Sequence, residues 1–221
     1  MRATVAAACI ALMLMTVTCF AGDIVFCPTG NMVQKGKFEF NYIFWDFDNP
    51  PGAPQNMSIY EFFAGLHERL EVDVDILALD TFDCEGTVNI YVPVVLETPK
   101  RPSLIIGTYN LFGNEFLPGD DDIAPFVLSS YNIHAPAGPP SFDDPLLRAH
   151  LGYGWGVHAS KPFGGLQMLF DPHFGGAILN HSGDPAYMVT ITPCPEKHDW
   201  EITAGWLSGD DFYRVGWFHT W

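Results

Sequence analysis

The side chains best suited to proton transfer form an acidic row in the run LEVDVDI at 70–76. Glu71, Asp73 and Asp75 alternate there with apolar residues, so an extended strand places the three carboxylates on one face. Such a row could act as a general acid or base, and His150, two residues from Arg148, could pair with one carboxylate. The alternative, which we prefer, is a structural row whose charges are neutralised by cations.

Sequence motifs for other chemistries are absent or weak. The chain has no GxSxG and no GxGxxG motif, and its adjacent His181-Ser182 pair leads into the turn sequence Gly183-Asp184-Pro185. The eight His form no HExxH motif and the Cys have no CxxC spacing. We therefore expect no metal site and no cofactor, and we interpret the acidic triplet at 120–122 as a solvated loop rather than a Ca²⁺ site.

Composition excludes several classes of protein. The chain has 221 residues, with 10 Lys plus Arg against 26 Asp plus Glu, and its formal net charge is -16. This charge argues against binding of DNA or RNA, so no nucleic-acid partner is expected. Hydrophobic residues make up 48% of the chain and aromatic residues 14%, which excludes disorder, and 21 Gly with 18 Pro disfavour a helical bundle. This composition is typical of an all-β protein.

The N-terminus has the features of a secretory signal peptide. Met1-Arg2 is a short positive region, the run at 3–17 is uncharged and apolar, and Cys19-Phe20-Ala21 supplies small residues near a cleavage site after Ala21. We therefore divide the chain into a signal peptide at 1–21, an N-terminal segment at 22–35 and a single domain at 36–221.

Hydrophobicity in the mature chain alternates with a period of two rather than 3.6, and turn residues interrupt it at short intervals. Twelve strands are predicted, near 36–47, 57–66, 70–79, 87–96, 103–112, 125–134, 146–158, 164–171, 175–180, 186–193, 199–207 and 212–221. The run at 175–180 is short, so ten strands would also fit. No helix is expected between them, which makes successive strands antiparallel neighbours.

Two all-β architectures fit this pattern, a soluble sandwich and a membrane barrel. In a barrel the apolar faces contact lipid, while the lumen takes the polar residues and glycines. The polar faces here carry charges of both signs, and we predict a charge cluster facing the lumen: Glu39, Glu61, Glu71, Asp73, Asp75, Arg148, His150, Glu201 and Arg214. With few cations nearby, Arg148, or else Arg214, should pair with Asp73 or Asp75.

The C-terminus and two hairpins resemble those of bacterial outer-membrane β-barrel proteins. The chain ends on Trp221, preceded by apolar or aromatic residues at alternate positions, and the runs at 68–74 and 198–204 share a polar turn, an apolar residue, a Glu and then alternation. This resemblance implies an up-and-down antiparallel transmembrane barrel of about 10–12 strands. It also implies a location in the bacterial outer membrane, with lipid and the barrel-assembly machinery as partners.

The resemblance does not select one function, because such barrels have many. We expect a narrow pore, a structural component or a surface interaction platform, without enzymatic activity, whose partner could be a small polar solute or a surface polysaccharide. The alternatives are a secreted or periplasmic β-sandwich that binds carbohydrate and, third, an outer-membrane hydrolase. If both barrel ends lie in the periplasm, a Cys27–Cys194 disulfide is the one internal bond that the topology allows, and three free thiols are the alternative.

Overall fold

The computed structural model describes residues 23–24, 27–28, 33, 35–48, 55–79, 84–113, 123–134, 147–156, 161–171, 173–181, 183–193 and 200–220. A two-residue hairpin, β1 (Asp23–Ile24) and β2 (Cys27–Pro28), precedes the main sheet. The main sheet contains β3 (Lys37–Asp46), β4 (Asn56–His67), β5 (Leu70–Leu79), β6 (Cys84–Val95), β7 (Ser103–Tyr109), β8 (Ala124–His134), β9 (Leu147–Gly154), β10 (Lys161–Asp171), β11 (Phe174–His181), β12 (Asp184–Ile191), β13 (Trp200–Leu207) and β14 (Asp210–Thr220). All twelve predicted strands are therefore present, including the short one at β11.

These strands form one closed up-and-down barrel, in which each strand pairs antiparallel with its neighbours in the chain. β14 pairs with β3 and closes the barrel, from Asp211↔Asp46 to Thr220↔Lys37. The predicted all-β antiparallel barrel is thus confirmed, and the sandwich alternative was wrong, because the strands form one closed sheet rather than two packed sheets. The described residues include no apolar helix of membrane-spanning length.

The two ends of the barrel differ in their connections. At the end where β3 begins and β14 finishes, called here the terminal end, the connections run from β4 to β5, β6 to β7, β8 to β9, β10 to β11 and β12 to β13. The opposite end, called here the distal end, carries the remaining six connections. Both ends of the barrel chain therefore lie at the terminal end.

Burial alternates along the strands and separates an apolar outside from an interior that contains the charges. Outward side chains such as Leu151, Ile178 and Val189 are more than half exposed, whereas inward carboxylates such as Glu39 are completely buried. Asp46 and Asp211, neighbours at the distal end, are the only charged residues at outward positions among the strand side chains that the structure describes. This distribution is the reverse of that in a water-soluble domain.

The interior is itself divided along the barrel axis. Apolar side chains, called here the apolar plug, fill most of the distal half, and a few of them, such as Ile105, reach the terminal half: Ile43, Trp45, Met57, Ile59, Leu77, Tyr91, Ile105, Tyr109, Ala124, Phe126, Leu128, Phe163, Ala177, Leu179, Ala186, Met188, Leu207 and Phe212. The buried acidic groups and the two buried arginines lie in the terminal half or near the middle of the barrel, whereas the amides and hydroxyls around Asn89 continue to Asn110, which follows β7 at the distal end. The charged groups therefore lie mainly in the terminal half.

Three glycines make room for rings of the apolar plug. Gly107, Gly152 and Gly205 are each the direct cross-strand partner of a Phe, namely Phe126, Phe163 and Phe212. A Cβ atom at any of the three glycines would overlap the partner's ring. At Gly152 it would also lie 2.8 Å from the carbonyl oxygen of Val127. Glycine is required at these positions because the rings lie flat across the neighbouring strand.

Candidate functional site: the polar half of the barrel interior

The structure places all nine residues of the predicted charge cluster on the buried faces of strands. Glu39, Glu61 and Glu201 lie on β3, β4 and β13, the acidic row lies on β5, Arg148 and His150 lie on β9, and Arg214 lies on β14. They are brought together in the terminal half, but they form separate contacts on opposite sides of the lumen rather than one network.

One side of the lumen is organised around Arg214. Its Nη2 atom donates to Glu201 Oε1 at 2.9 Å and lies 3.7 Å from Glu39 Oε1. Thr203 adds a hydroxyl donor to the same Glu201 oxygen at 3.3 Å. Two buried carboxylates thus share one buried guanidinium, an arrangement in which loss of the cation leaves two charges uncompensated.

The acidic row is held by amides rather than by cations. Asn89 Nδ2 donates to Asp73 Oδ2 and to Asp75 Oδ2, both at 2.7 Å. The backbone N–H of Asn110 donates to Asn89 Oδ1 at 3.0 Å and fixes the orientation of that amide. On the neighbouring strand, Asn41 Nδ2 donates to Glu61 Oε2 at 3.1 Å. Asparagine side chains therefore make the contacts to buried carboxylates that the sequence predicted for arginine.

The predicted pairing of Arg148 or Arg214 with this row was wrong. Arg148 Nη2 contacts Glu97 Oε2 at 2.5 Å, and its Nη1 donates to Asn132 Oδ1 at 3.0 Å. The physical reason is position, because Arg148 and β5 lie on different sides of the barrel, whereas the segment after β6 brings Glu97 over the terminal end towards β9. Glu97 was missed because it lies outside the strand pattern, beside the turn at 98–101.

A Ser–His pair lies next to this ion pair and was also missed. Ser130 Oγ and His150 Nδ1 are 2.8 Å apart, and both side chains are buried. Ser130 and His150 are direct cross-strand partners, so only knowledge of the register could have paired them. Neither side chain lines the cavity described below, and we interpret the contact as a structural hydrogen bond.

Residues before β3 enter the terminal end of the barrel. The backbone N–H of Val33 donates to Glu71 Oε2, and its buried side chain packs against Phe63. Gly36 N donates to the carbonyl of Gly65 at 2.9 Å and anchors the chain just before β3. One carboxylate of the acidic row is therefore occupied by the protein's own backbone.

A cavity of about 310 Å³ remains at the terminal end. It lies between the β4–β5 turn, the connection from β6 to β7 and the start of β9, and the Arg148–Glu97 pair forms part of its wall. Within the described residues, no group of three or more His, Cys, Asp or Glu side chains is arranged to hold a metal ion. Cys194 and the side chain of Cys27 lie outside the described residues, so their disulfide stays a prediction.

No known protein-family profile matches the chain, and no curated protein is significantly similar to it.

Proposed function

We propose that this protein is a bacterial outer-membrane β-barrel with a sealed lumen, which acts as a structural component or interaction platform rather than as a pore. The observation that carries the proposal is the inverted distribution of polarity described above. A closed barrel with charges inside and an almost uncharged apolar exterior is suited to a lipid environment. In water the same exterior would favour aggregation.

Aromatic side chains near both barrel ends support this environment. Near the distal end, Tyr187 and Trp206 stack with ring centroids 5.8 Å apart. Near the terminal end, the ring of Trp200 is 40% exposed and its centroid lies 6.5 Å from that of Trp217. Amphipathic rings at both limits of an apolar band are typical of proteins that position themselves at two membrane–water interfaces.

The apolar plug favours a sealed lumen rather than the narrow pore that the sequence also predicted. Its central rings are tightly packed, with the centroid of Phe126 lying 5.5 Å from that of Tyr91 and 5.4 Å from that of Tyr109. An ion would have to displace these rings to cross the distal half. We therefore expect the purified protein in a planar bilayer to give no conductance steps. Stable open-channel currents from the purified barrel would contradict the sealed lumen.

The membrane environment can be tested with a charge on the outer face. Ile178 is 61% exposed in the middle of β11, and Ile133 is 55% exposed near the end of β8. In a bilayer, Ile178→Arg should destabilise the barrel by about 2–4 kcal/mol and Ile133→Arg by about 0–1 kcal/mol, because the penalty depends on depth. The measurement is urea unfolding in lipid vesicles, monitored by tryptophan fluorescence.

A water-exposed barrel would behave differently in the same experiment. Both arginines would then be solvated, so the two variants would have nearly equal stability, and the wild-type protein would leave the cell envelope without detergent. A protein that needs detergent for extraction, with Ile178→Arg much less stable than Ile133→Arg, is the result we expect.

A further inference from the structure

The cavity at the terminal end has two chemically different walls. Arg148, Glu97, Ser103 and Lys35 contribute charged and hydroxyl groups, whereas Pro93, Leu96 and Ile105 contribute an apolar surface. His67 and Glu68 from the β4–β5 turn also line the polar side. Its volume of about 310 Å³ is at the lower end of the range for small-molecule sites. A ligand that matched both walls would be a small amphiphile.

The polar wall already holds an anion, the Glu97 carboxylate, at one terminal nitrogen of a buried arginine. The Arg148 side chain is 10% exposed, and its two terminal nitrogens contact Glu97 and Asn132. A planar guanidinium fixed in this way is the group that proteins use to bind carboxylates and phosphates. Lys35 and Glu68 line the same cavity with opposite charges, so Arg148 is the cation that distinguishes an anionic ligand from a neutral one.

The carboxylate that contacts Arg148 belongs to Glu97, which lies in the connection between β6 and β7 rather than in a barrel strand. Glu97 lies just beyond β6, and its carboxylate also accepts the N–H of Asn132 at 2.8 Å. Its side chain is 19% exposed, about twice as much as that of Arg148. Displacement of Glu97 would therefore require movement of a short connection and would leave the strands in register.

The apolar wall continues towards the outside of the barrel. The β6–β7 ladder changes register between Pro93 and Val95, where proline supplies no N–H to the neighbouring strand. Leu96, the residue after this irregularity, lines the cavity and is also 42% exposed. An apolar tail could thus extend from the cavity along Leu96 to the outer face.

We propose that this cavity binds a small amphiphile with one anionic head group, a carboxylate or a phosphate monoester. The head group displaces Glu97 from Arg148, and the tail lies along Pro93, Leu96 and Ile105. The proposal rests on the proposed function in one respect, namely that lipid borders the outer opening. If the barrel is an interaction platform, a small anionic amphiphile is the ligand class that this cavity would bind.

Binding of each probe is measured by equilibrium dialysis with the full-length protein in lipid nanodiscs. Empty nanodiscs give the amount of probe that enters the lipid alone. The probes are octanoate, octyl phosphate, octanol and acetate. We expect octanoate or octyl phosphate to bind at least about tenfold more tightly than octanol and acetate, which lack the head or the tail. The tighter of the two anionic probes identifies the head-group chemistry. Equal binding of octanol would overturn the proposal.

Three variants separate the arginine site from general adsorption. Arg148→Gln should weaken binding of the anionic probe by about tenfold or more, and Glu97→Gln should strengthen it several-fold because the internal competitor loses its charge. Lys100→Gln is the matched control, since Lys100 is an exposed cation at the same end and does not line the cavity. Wild-type affinity in Glu97→Gln would overturn the proposal even if Arg148→Gln did not fold. A barrel that passes the outer-face charge test but binds neither anionic probe refutes this inference alone.

Discussion

Arg214→Met is expected to destabilise the folded barrel by about 3–5 kcal/mol, because a buried charge that loses its partner keeps its desolvation penalty. Arg214 serves two carboxylates, those of Glu39 and Glu201, at the distances given above. Methionine fills a similar volume, so the effect reports charge rather than packing. The measurement is the urea midpoint of unfolding in lipid vesicles, compared with that of the wild-type protein.

Two further variants make this result specific. Arg101→Met removes an exposed arginine whose guanidinium donates to the carbonyl of Leu96, and it should change stability by less than about 1 kcal/mol. Combining Arg214→Met with Glu39→Gln and Glu201→Gln should recover most of the lost stability, since no charge of this group is then left without its counterion. If the single variant were as stable as the wild type, water would have to solvate this side of the lumen.

Phe126→Ala is expected to reduce the free energy of unfolding by about 3–5 kcal/mol, as for other large-to-small changes in packed interiors. Phe126 contacts Tyr91, Tyr109 and Phe163 within the apolar plug and covers Gly107 on the neighbouring strand. Its removal leaves a cavity that these stiff neighbours cannot fill. The same vesicle-based unfolding experiment measures the loss.

Phe112→Ala provides the control for the second prediction. This residue lies in the turn after β7 and is 67% exposed, so its truncation should change stability by less than about 0.5 kcal/mol. A loss for Phe126→Ala no greater than that for Phe112→Ala would mean that the distal half of the lumen is hydrated and that the plug does not seal it.

The strands could be predicted because their signal is local. In β5 the alternation of apolar and acidic residues is complete, and one sequence window is enough to assign its two faces. The inward charges could be identified for the same reason. Their partners could not, because Ser130 and His150, or Asp73 and Asn89, meet only once the register between strands is known. Glu97 carries no periodic signal at all.

The sequence also carries a signal for the uneven distribution of polar side chains along the barrel axis. Along β3 the inward residues change from polar to apolar, from Glu39 to Trp45, whereas along the neighbouring β14 they change from apolar to polar, from Phe212 to Arg214. Antiparallel strands must reverse this order if one end of a barrel is polar. The reversal from strand to strand is therefore a signal by which a one-sided polar lumen can be predicted from sequence.

The seam between β14 and β3 has a consequence for folding. Eleven of the twelve ladders join strands that follow one another in the chain, and only this seam joins opposite ends of the barrel sequence. Local hairpins can form early, whereas the seam carries the full entropy of closing a long loop and is expected to form last. Until it forms, β3 and β14 present open edges that can pair with other chains. The ten residue pairs of the seam therefore separate a closed monomer from an intermediate that is prone to aggregation.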